Sequence, residues 1–314
     1  MWIWRIAWHV FVLIGVSGLA VASVPCVVRS DAWLADLLDS FRLHVLVGVC
    51  IALPMAFTLP RRWRGPALAI LAGCVIVNGA TILRTARAAT APSEARGGIR
   101  LKLVTVNLLW SNREHRKLLD WLEIEAPDIL VTQETTQRWA AQLDKLNSPL
   151  EYHRLPGTND DIAILSRYPF EMAEISEIRS HGTLAVAMLE VGDRRIDVMT
   201  LHASVPLRPA WRIARDTMFD GIACYARRSR YPLIVAGDFN ATPWNRSMRL
   251  MVRESPLRHA PGFWHPTWAD HVPLWMGIPI DHVLAATGCR IVDRRVGPDI
   301  GSDHRPVVAT IDCL

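Results

Sequence analysis

The sequence predicts an α/β protein in which two mixed β-sheets pack together with helices outside them, preceded by three transmembrane helices. Three observations support this prediction. Three apolar segments fill most of the first 83 residues. From residue 99 onward, short apolar runs of strand length alternate with helical segments. Several of these runs are consecutive and are separated only by hairpin signals such as Gly192-Asp193. Because hairpins join antiparallel strands, this pattern favours mixed sheets over a purely parallel sheet.

The apolar segments cover residues 6–28, 43–59 and 66–83. The first is long enough to span a bilayer, which takes roughly 20 residues, and the other two are near the lower limit. A cleaved signal peptide would not explain the second and third segments. A soluble helical bundle would not explain the scarcity of charge inside all three. Asn78 is a lone polar residue in the third segment, where we expect it to hydrogen-bond between helices.

These segments predict the domain organisation. We expect residues 1–83 to form a membrane anchor with three transmembrane helices, whose partners are membrane lipids. Residues 84–98, rich in Ala, Arg and Gly, are predicted to be a linker. Residues 99–314 are predicted to form a second domain that folds around its own core. Tryptophans near the ends of the apolar segments fit an interfacial aromatic belt: Trp2, Trp4, Trp8, Trp33 and Trp63.

The charge distribution bears on orientation and on partners. The formal charge of +5 lies in the first 98 residues, which hold 9 Lys and Arg against 4 Asp and Glu, whereas residues 99–314 hold 26 of each. A balanced domain gives little support to a nucleic-acid footprint. The basic connection 61–64 favours a cytoplasmic N-terminus. Three spans would then place the second domain on the extracytoplasmic side of the cell (inner) membrane. Arg84, Arg87 and Arg96 favour the opposite orientation.

The six cysteines are scattered singly, without a CxxC pair or a Cys/His cluster. We therefore expect neither a disulfide framework nor a zinc site, and interpret the cysteines as small apolar fillers.

The second domain divides into predicted strands and helices. Alternation in residues 101–106 is typical of a strand, and leucines 118, 119 and 122 have helical spacing before Pro127 ends the helix. The predicted strands are residues 101–106, 128–132, 162–165, 183–191, 195–201, 233–236, 279–284 and 306–311. The predicted helices are residues 113–125, 136–146 and 209–228.

The chain is organised around residues 233–244, LIVAGDFNATPW. A buried strand is followed by Asp238 and Asn240, which alternation places on one face, with Phe239 on the other. A carboxylate and an amide at the end of a buried strand are costly unless they have a use. An Asx-turn is the alternative interpretation. Pro243 is predicted at the first position of a helix.

Polar residues of catalytic type recur at the ends of other predicted strands, so they are expected to converge on one edge of the packed sheets. Each has a structural alternative, such as a turn, a helix cap or a buried histidine, but a common structural explanation for all of them is less economical. The set comprises Asn107, Glu134, His202, Asp238, Asn240, Asp281, Asp303 and His304.

Four carboxylates and two amides in this set suit Mg²⁺ or Mn²⁺ rather than zinc. Such ions commonly act on phosphoryl groups. A histidine oriented by a carboxylate is suited to general base catalysis toward water. His304 is the candidate, and Asp281 and Asp303 are both candidates for the orienting group.

Seven short motifs in a fixed order carry a family resemblance. They are VNLLW at Asn107, QET at Glu134, AILSRYP at 163–169, LHAS at His202, GDFNATPW at Asp238, PIDHVL at Asp281 and SDHRPV at His304. Residues 99–314 thereby resemble the endonuclease/exonuclease/phosphatase superfamily, which includes DNase I-like nucleases, inositol polyphosphate phosphatases and neutral sphingomyelinases. The resemblance implies a four-layer α/β/β/α sandwich and metal-dependent cleavage of a phosphate ester.

The resemblance also implies roles for the metal-binding residues. Glu134 resembles the principal ligand of a Mg²⁺ or Mn²⁺ ion, with Asn107 and Asp303 close to the metal. Asn107 is also expected to contact the substrate. Some nuclease members carry a second acid two residues after this asparagine, whereas this chain has Leu109.

The remaining roles concern the reacting phosphate. Asp238 and Asn240 resemble the pair that orients the nucleophile and steadies the phosphate. His304 resembles the general base, with Asp281 as its partner. His202 resembles a phosphate-binding histidine.

Three functional hypotheses follow. The leading one is a membrane-anchored phosphodiesterase acting on phospholipid or lipid-linked phosphate esters. The second is an extracytoplasmic nuclease acting on DNA or RNA. The third is a catalytically silent binding module, which the intact set of motifs disfavours. No protein partner is inferred.

Overall fold

The computed structural model describes residues 2–26, 33–89, 98–146, 148–150, 152–154, 161–177, 182–269, 271–286 and 288–314. These residues form two compact units. One consists mainly of Met1–Arg87, and the other of Ala88–Pro243 and Ser247–Leu314.

The first unit is helical. Helices α1 (Trp2–Ser23) and α4 (Arg61–Ala89) are long and apolar enough to cross a membrane. Between them, α2 (Trp33–Asp39) and α3 (Arg42–Ala56) are bent by 68° relative to one another, so they give a third span only if the bent pair counts as one. The described residues thus contain two or three candidate spans, compatible with the predicted anchor.

The helix boundaries differ from the predicted ones. Helix α1 ends at Ser23, before the predicted end of the first segment, and residues 27 and 28 lie outside the described residues. Helix α2 was not predicted. Helix α4 continues to Ala89, so the first part of the predicted linker 84–98 is helical, because Ala and Arg are good helix formers. Residues 90–97 of that linker lie outside the described residues.

Asn78 makes the expected contacts between helices. Its Nδ2 donates to Ser23 Oγ of α1 at 2.8 Å, and its Oδ1 accepts from Arg42 Nη1 of α3 at 3.4 Å. A single amide on α4 is thereby bonded to two neighbouring helices, as the sequence predicted.

The second unit contains two six-stranded sheets. The first has the order β11-β12-β1-β2-β4-β3, and the second has the order β5-β6-β7-β8-β10-β9. The strands are β1 (Ile99–Asn107), β2 (Ile129–Gln133), β3 (Tyr152–Arg154), β4 (Ile162–Ser166), β5 (Phe170–Glu177), β6 (Gly182–Val191), β7 (Arg194–Ala203), β8 (Leu233–Asp238), β9 (Arg258–His259), β10 (Asp281–Ala286), β11 (Cys289–Val296) and β12 (Val307–Cys313). Both sheets mix parallel and antiparallel pairs, as expected.

Alternation along the strands separates three apolar layers. Leu103 of β1 faces the core between the sheets, where it joins Val198 of β7 and Ile234 of β8. The adjacent Val104 faces the opposite side, with Leu118 of helix α5. Helices α5 (His115–Glu125) and α6 (Gln137–Leu143) cover the first sheet, and α7 (Pro209–Arg228) and α8 (Arg246–Arg253) cover the second. The predicted four-layer α/β/β/α arrangement is confirmed.

One predicted helix start is wrong. The chain does not enter a helix at Pro243, since α8 begins only at Arg246. Asp238 Oδ1 accepts a hydrogen bond from the backbone N of Asn240 at 2.9 Å, and Asn240 has a φ of 45°, so the chain turns before any helix starts. Strands β3, β5, β9 and β11 were not predicted.

The prediction about the cysteines is also wrong for one pair. Cys289 and Cys313 face each other on the antiparallel strands β11 and β12 and form a disulfide across 24 residues of sequence. Among the described residues, the free cysteines are Cys50, Cys74 and Cys224. The pair was missed because β11 has a charged, irregular sequence pattern, so this segment was not recognised as a strand.

Candidate active site

The pairing of strands brings the predicted polar residues to one edge. Strands β1 and β2 run parallel, and so do β7 and β8, which aligns the ends of each pair. Asn107 and Glu134 therefore come from the first sheet. His202 and Asp238 come from the second sheet, where they lie opposite each other in register. Asp281 also lies opposite Asp238, on the antiparallel strand β10.

Asn107 joins the two sheets at this edge. Its Nδ2 donates to Glu134 Oε1 at 3.1 Å and to Asp238 Oδ2 at 3.2 Å, while its Oδ1 accepts from Leu109 N at 3.0 Å. The other oxygen of Glu134 accepts from Trp110 N at 2.8 Å. One buried amide thus connects a partly exposed carboxylate to a buried one.

Three carboxylates and two imidazoles alternate along a line through the site. Asp161 Oδ1 lies 2.8 Å from His202 Nδ1, and His202 Nε2 lies 3.8 Å from Asp238 Oδ2. That same oxygen lies 3.8 Å from His304 Nε2, and His304 Nδ1 lies 2.9 Å from Asp281 Oδ2. Asp238 is therefore placed between two imidazoles, each of which has a carboxylate on its far side.

The charges of this line raise several pKa values. Burial lowers the pKa of His304, but the charges of Asp281 and Asp238 and the bond to Asp281 outweigh it and raise the pKa to about 10. Burial raises the pKa of Asp238 above the usual range, against the opposing charge of His304. In the protein without a bound cation, His304 is thus positively charged at neutral pH.

Asp161 is a site residue that the sequence analysis missed. Burial lowers the pKa of His202, but the hydrogen bond that its Nδ1 donates to Asp161 and the charges of Asp161, Asp238 and Glu134 outweigh burial and raise the pKa to about 9. The available signal was the position of Asp161, one residue before a predicted strand that begins the AILSRYP motif.

Asn240 forms the Asx-turn that was the alternative interpretation of the GDFN stretch, and its amide lies beside Asp238. Its backbone N completes an Asx-turn with Asp238, and its Nδ2 donates to Ala203 O at 2.8 Å and to Asp238 Oδ2 at 3.4 Å. The buried Arg215 donates to the carbonyl of Asn240 at 3.3 Å. The turn therefore fixes the amide beside the buried carboxylate.

The loop before β12 brings Asp303 and His304 to the same edge. Ser302 Oγ donates to the carbonyl of Asn107 at 2.8 Å, which ties this loop to the end of β1. Asp303 Oδ2 accepts from Trp268 Nε1 at 3.0 Å and is partly exposed. Asp281 rather than Asp303 is hydrogen-bonded to His304, which resolves the choice of orienting group.

Two sets of donors at this edge are suited to a cation. Asp238, Asp281 and His304 place one ligand atom each within 4.8 Å of one another, but all three are buried and His304 Nδ1 is engaged by Asp281. Glu134, Asn107 and Asp303 offer hard oxygen ligands, and the two carboxylates are partly exposed. Hard cations such as Mg²⁺ and Mn²⁺ prefer oxygen ligands of this kind.

His282 lies outside this group. It is buried, and its Nε2 lies 2.9 Å from the carbonyl of Ala241. Burial lowers its pKa well below the ordinary value, so it is neutral and structural.

Replacing Asp161 with Asn should lower the pKa of His202 from about 9 toward about 6.5, because the substitution removes the nearest negative charge. An NMR titration of the His202 ring signals measures this change. Asp193→Asn, in the exposed turn between β6 and β7, is the matched control and should leave the pKa unchanged. An unaltered His202 pKa in Asp161→Asn would contradict the assigned pairing.

Comparisons with known proteins agree with this geometry. The model of the Endonuclease/Exonuclease/phosphatase family matches residues 104–304, which is more than half of the chain. No curated protein matches the sequence.

Solved structures of the same fold cover about two thirds of this chain. D. rerio TDP2 complexed with a single strand DNA product is 15% identical, with a TM-score of 0.58, covering 68% of this chain and 99% of its own. The endonuclease/exonuclease/phosphatase from Beutenbergia cavernae is 18% identical, with a TM-score of 0.55 and coverages of 68% and 72%. Beta toxin from Staphylococcus aureus is 15% identical, with a TM-score of 0.51 and coverages of 67% and 99%. The chain belongs to the endonuclease/exonuclease/phosphatase family.

Proposed function

We propose that this protein is a membrane-anchored, metal-dependent phosphodiesterase that hydrolyses phosphate esters by in-line attack of water. Family membership supports phosphoesterase activity. The observation that carries the proposal is the alternating line of three carboxylates and two imidazoles, whose central Asp238 is connected through Asn107 to the partly exposed Glu134. Such a line supplies a proton acceptor, an orienting group and a positively charged phosphate contact within one buried cluster.

Glu134, Asn107 and Asp303 would hold the divalent cation. When bound, Mg²⁺ or Mn²⁺ neutralises phosphoryl oxygens, and its charge opposes the carboxylates that raise the His304 pKa. Asn107 holds Glu134 in place through the 3.1 Å hydrogen bond to Oε1.

Asp238 and Asn240 orient the attacking water and steady the phosphate. His304 is the proposed general base, since Asp281 fixes the ring through Nδ1 and leaves Nε2 facing Asp238 at 3.8 Å. The raised pKa of His304 favours a second assignment, in which Asp238 accepts the proton and the His304 imidazolium contacts a phosphoryl oxygen.

His202 is the proposed phosphate-binding residue. Asp161 engages its Nδ1, and a pKa of about 9 keeps the ring positively charged at neutral pH. A charged imidazolium forms charge-assisted hydrogen bonds to phosphate oxygens, which are roughly twice as strong as neutral ones.

The rival activity is cleavage of DNA or RNA. The structure of D. rerio TDP2 with a single strand DNA product shows that this fold accommodates a nucleic-acid strand. In this chain, residues 99–314 hold equal numbers of acidic and basic residues, which counts against a sequence-independent grip on a polyanion. A silent binding module is disfavoured because every site motif is intact.

The proposed location of the domain rests on two observations. The helical unit contains two or three candidate spans, which supports a membrane tether, and three spans from a cytoplasmic N-terminus would place the domain outside the inner membrane. The Cys289–Cys313 disulfide is typical of oxidising compartments and rare in the cytosol. Tethering raises the effective concentration of substrates at the bilayer surface, so phospholipid headgroups or lipid-linked phosphates are the proposed substrates.

The activity is tested on the full-length protein in detergent with Mg²⁺ or Mn²⁺. The substrates are bis-p-nitrophenyl phosphate, p-nitrophenyl phosphate, phospholipids and plasmid DNA, with EDTA and Asp238→Ala as controls. Diester or lipid cleavage that both controls abolish supports the proposal. Nicking of DNA alone, with a steep salt dependence, would establish the nuclease instead.

Replacing Glu134 with Gln should weaken Mn²⁺ binding by at least about tenfold and remove most of the hydrolysis, because a neutral amide is a poorer ligand for a hard cation. Manganese binding is measured by electron paramagnetic resonance, independently of turnover. The matched control is Glu123→Gln, an exposed residue of α5. Unchanged binding of Mn²⁺ by the Glu134 variant would remove this residue from the metal site.

The pH dependence of kcat/KM should be bell-shaped. His202 is charged below its pKa of about 9 and neutral above it, so activity should fall as pH rises through this value. His202→Gln should remove this basic limb and leave the acidic limb, which reports the proton acceptor. His304→Ala should lower kcat by about 10²–10⁴ if His304 is the base. A wild-type rate in that variant would assign the base to another residue.

Disulfide formation in cells tests the location of the domain. Thiols are alkylated during denaturing lysis, with and without prior reduction, and the peptides are analysed by mass spectrometry. Cys289 and Cys313 should react only after reduction, whereas the free Cys224 should react in both samples. Reaction of all three without reduction would place the domain in a reducing compartment.

A further inference from the structure

A groove of about 310 Å³ opens beside His202. It lies where β6 begins and β7 ends, and it continues to the start of α7. The described residues that line it are Asp161, Gly182, His202, Ala203, Ser204, Val205 and Trp211. The proposed reaction uses only His202 and its partner Asp161 from this set, so the rest of the groove has no assigned role.

Gly182 keeps the floor of the groove open. Its φ is 129°, a conformation that side chains other than glycine's rarely adopt. A Cβ atom at this position would lie 2.9 Å from Met218 Cε and 3.0 Å from the carbonyl of His202. The close approach of the backbone at the end of β7 is therefore built into the fold.

The groove lies next to the proposed phosphate-binding histidine. The His202 ring lines the groove, and its Nε2 lies 3.8 Å from Asp238, the residue proposed to orient the attacking water. In-line displacement places the leaving alcohol on the side of the phosphate opposite the water. A phosphate held between His202 and the water would therefore direct its leaving alcohol away from Asp238 and from the groove, which leaves the groove to the alcohol that stays on the phosphate.

The lining selects an uncharged group. Trp211, Val205 and Ala203 provide an aromatic and apolar wall. The Arg208 guanidinium lies 4.9 Å from the centre of the Trp211 ring, so a second cation on that ring would meet repulsion. Among the described lining residues, the one carboxylate belongs to Asp161, and it is paired with His202.

We propose that this groove is a specificity subsite for the retained alcohol group of a phosphodiester, and that it takes an uncharged aromatic or apolar group against Trp211. This assignment rests on the proposed phosphodiesterase activity. Such a group is supplied by a nucleobase-bearing or a lipid-derived ester, and their shared chemistry is a flat or apolar surface next to the phosphate.

The test compares two substrates with the same leaving group. The full-length protein hydrolyses phenyl p-nitrophenyl phosphate and methyl p-nitrophenyl phosphate, and release of p-nitrophenolate gives kcat and KM for each. Wild-type protein should prefer the phenyl ester by at least about tenfold in kcat/KM, mainly through KM, because the ring is removed from water in the groove. Trp211→Ala should reduce this preference to about twofold or less.

Two controls separate the groove from general damage. Trp211→Phe retains an aromatic wall and should keep most of the preference. Trp264→Ala removes an exposed tryptophan that is not among the described residues lining the groove, and this variant should keep the full preference. The methyl ester should be hydrolysed at similar rates by all four proteins, since it does not fill the groove.

An unchanged preference in Trp211→Ala would overturn the proposal. A preference for p-nitrophenylphosphorylcholine over the phenyl ester, lost in Trp211→Ala, would overturn the assigned chemistry by showing that the groove binds a cation. Comparing thymidine 5′-(p-nitrophenyl phosphate) with a glycerol-based p-nitrophenyl ester distinguishes the two natural sources.

A binding measurement distinguishes failure of this proposal from failure of the proposed function. Calorimetry compares the affinities of phenyl phosphate and methyl phosphate without any turnover. If no diester is hydrolysed, the proposed function fails, but tighter binding of phenyl phosphate that Trp211→Ala abolishes still supports the groove. Equal affinities for both ligands in wild-type protein would overturn it.

Discussion

The buried charge of Asp238 is the constraint on which the site depends. Its carboxylate is 1% exposed, and an ionised carboxylate in such a position is costly unless it is paired and hydrogen-bonded. Two imidazoles and the amide of Asn107 surround one of its oxygens. Each imidazole needs its own carboxylate to stay charged, so the line extends outward to Asp161 and Asp281. A single buried acid thus dictates the composition of the cluster around it.

The fold supplies this cluster by aligning strand ends from two sheets. Parallel pairing of β1 with β2 and of β7 with β8 brings the ends of four strands to one edge. Neither sheet holds the complete set, because Glu134 belongs to one and Asp238 to the other. Asn107 spans the gap with two hydrogen bonds from one nitrogen. Packing of the apolar core between the sheets therefore controls the distance between the proposed metal site and the proposed water-orienting carboxylate.

The sequence predicted the parts of this arrangement that follow from local pattern. Strand ends with polar residues were visible because alternation and chain breaks mark them, and the motifs placed them in one family. Asp161 was missed because its role depends on the packing of the two sheets: it immediately precedes β4 of the first sheet, whereas His202 lies on β7 of the second. The Cys289–Cys313 disulfide required recognition of β11, whose charged residues mask its alternation. Long-range contacts of this kind leave no periodic pattern in the amino-acid sequence.

Because the charges of the catalytic domain are balanced, we expect its choice of substrate to depend on short-range contacts. Residues 99–314 carry no formal net charge, so long-range attraction adds little to the capture of an anionic substrate. In the proposed mechanism, the His202 imidazolium binds the phosphate, which every candidate substrate shares, so it does not distinguish among substrates. The groove lined by Trp211 is the proposed contact for the group that differs between them. Under the proposed membrane tether, substrates at the bilayer surface would reach a high local concentration, so differences in kcat/KM that arise in this groove would decide which ester is hydrolysed.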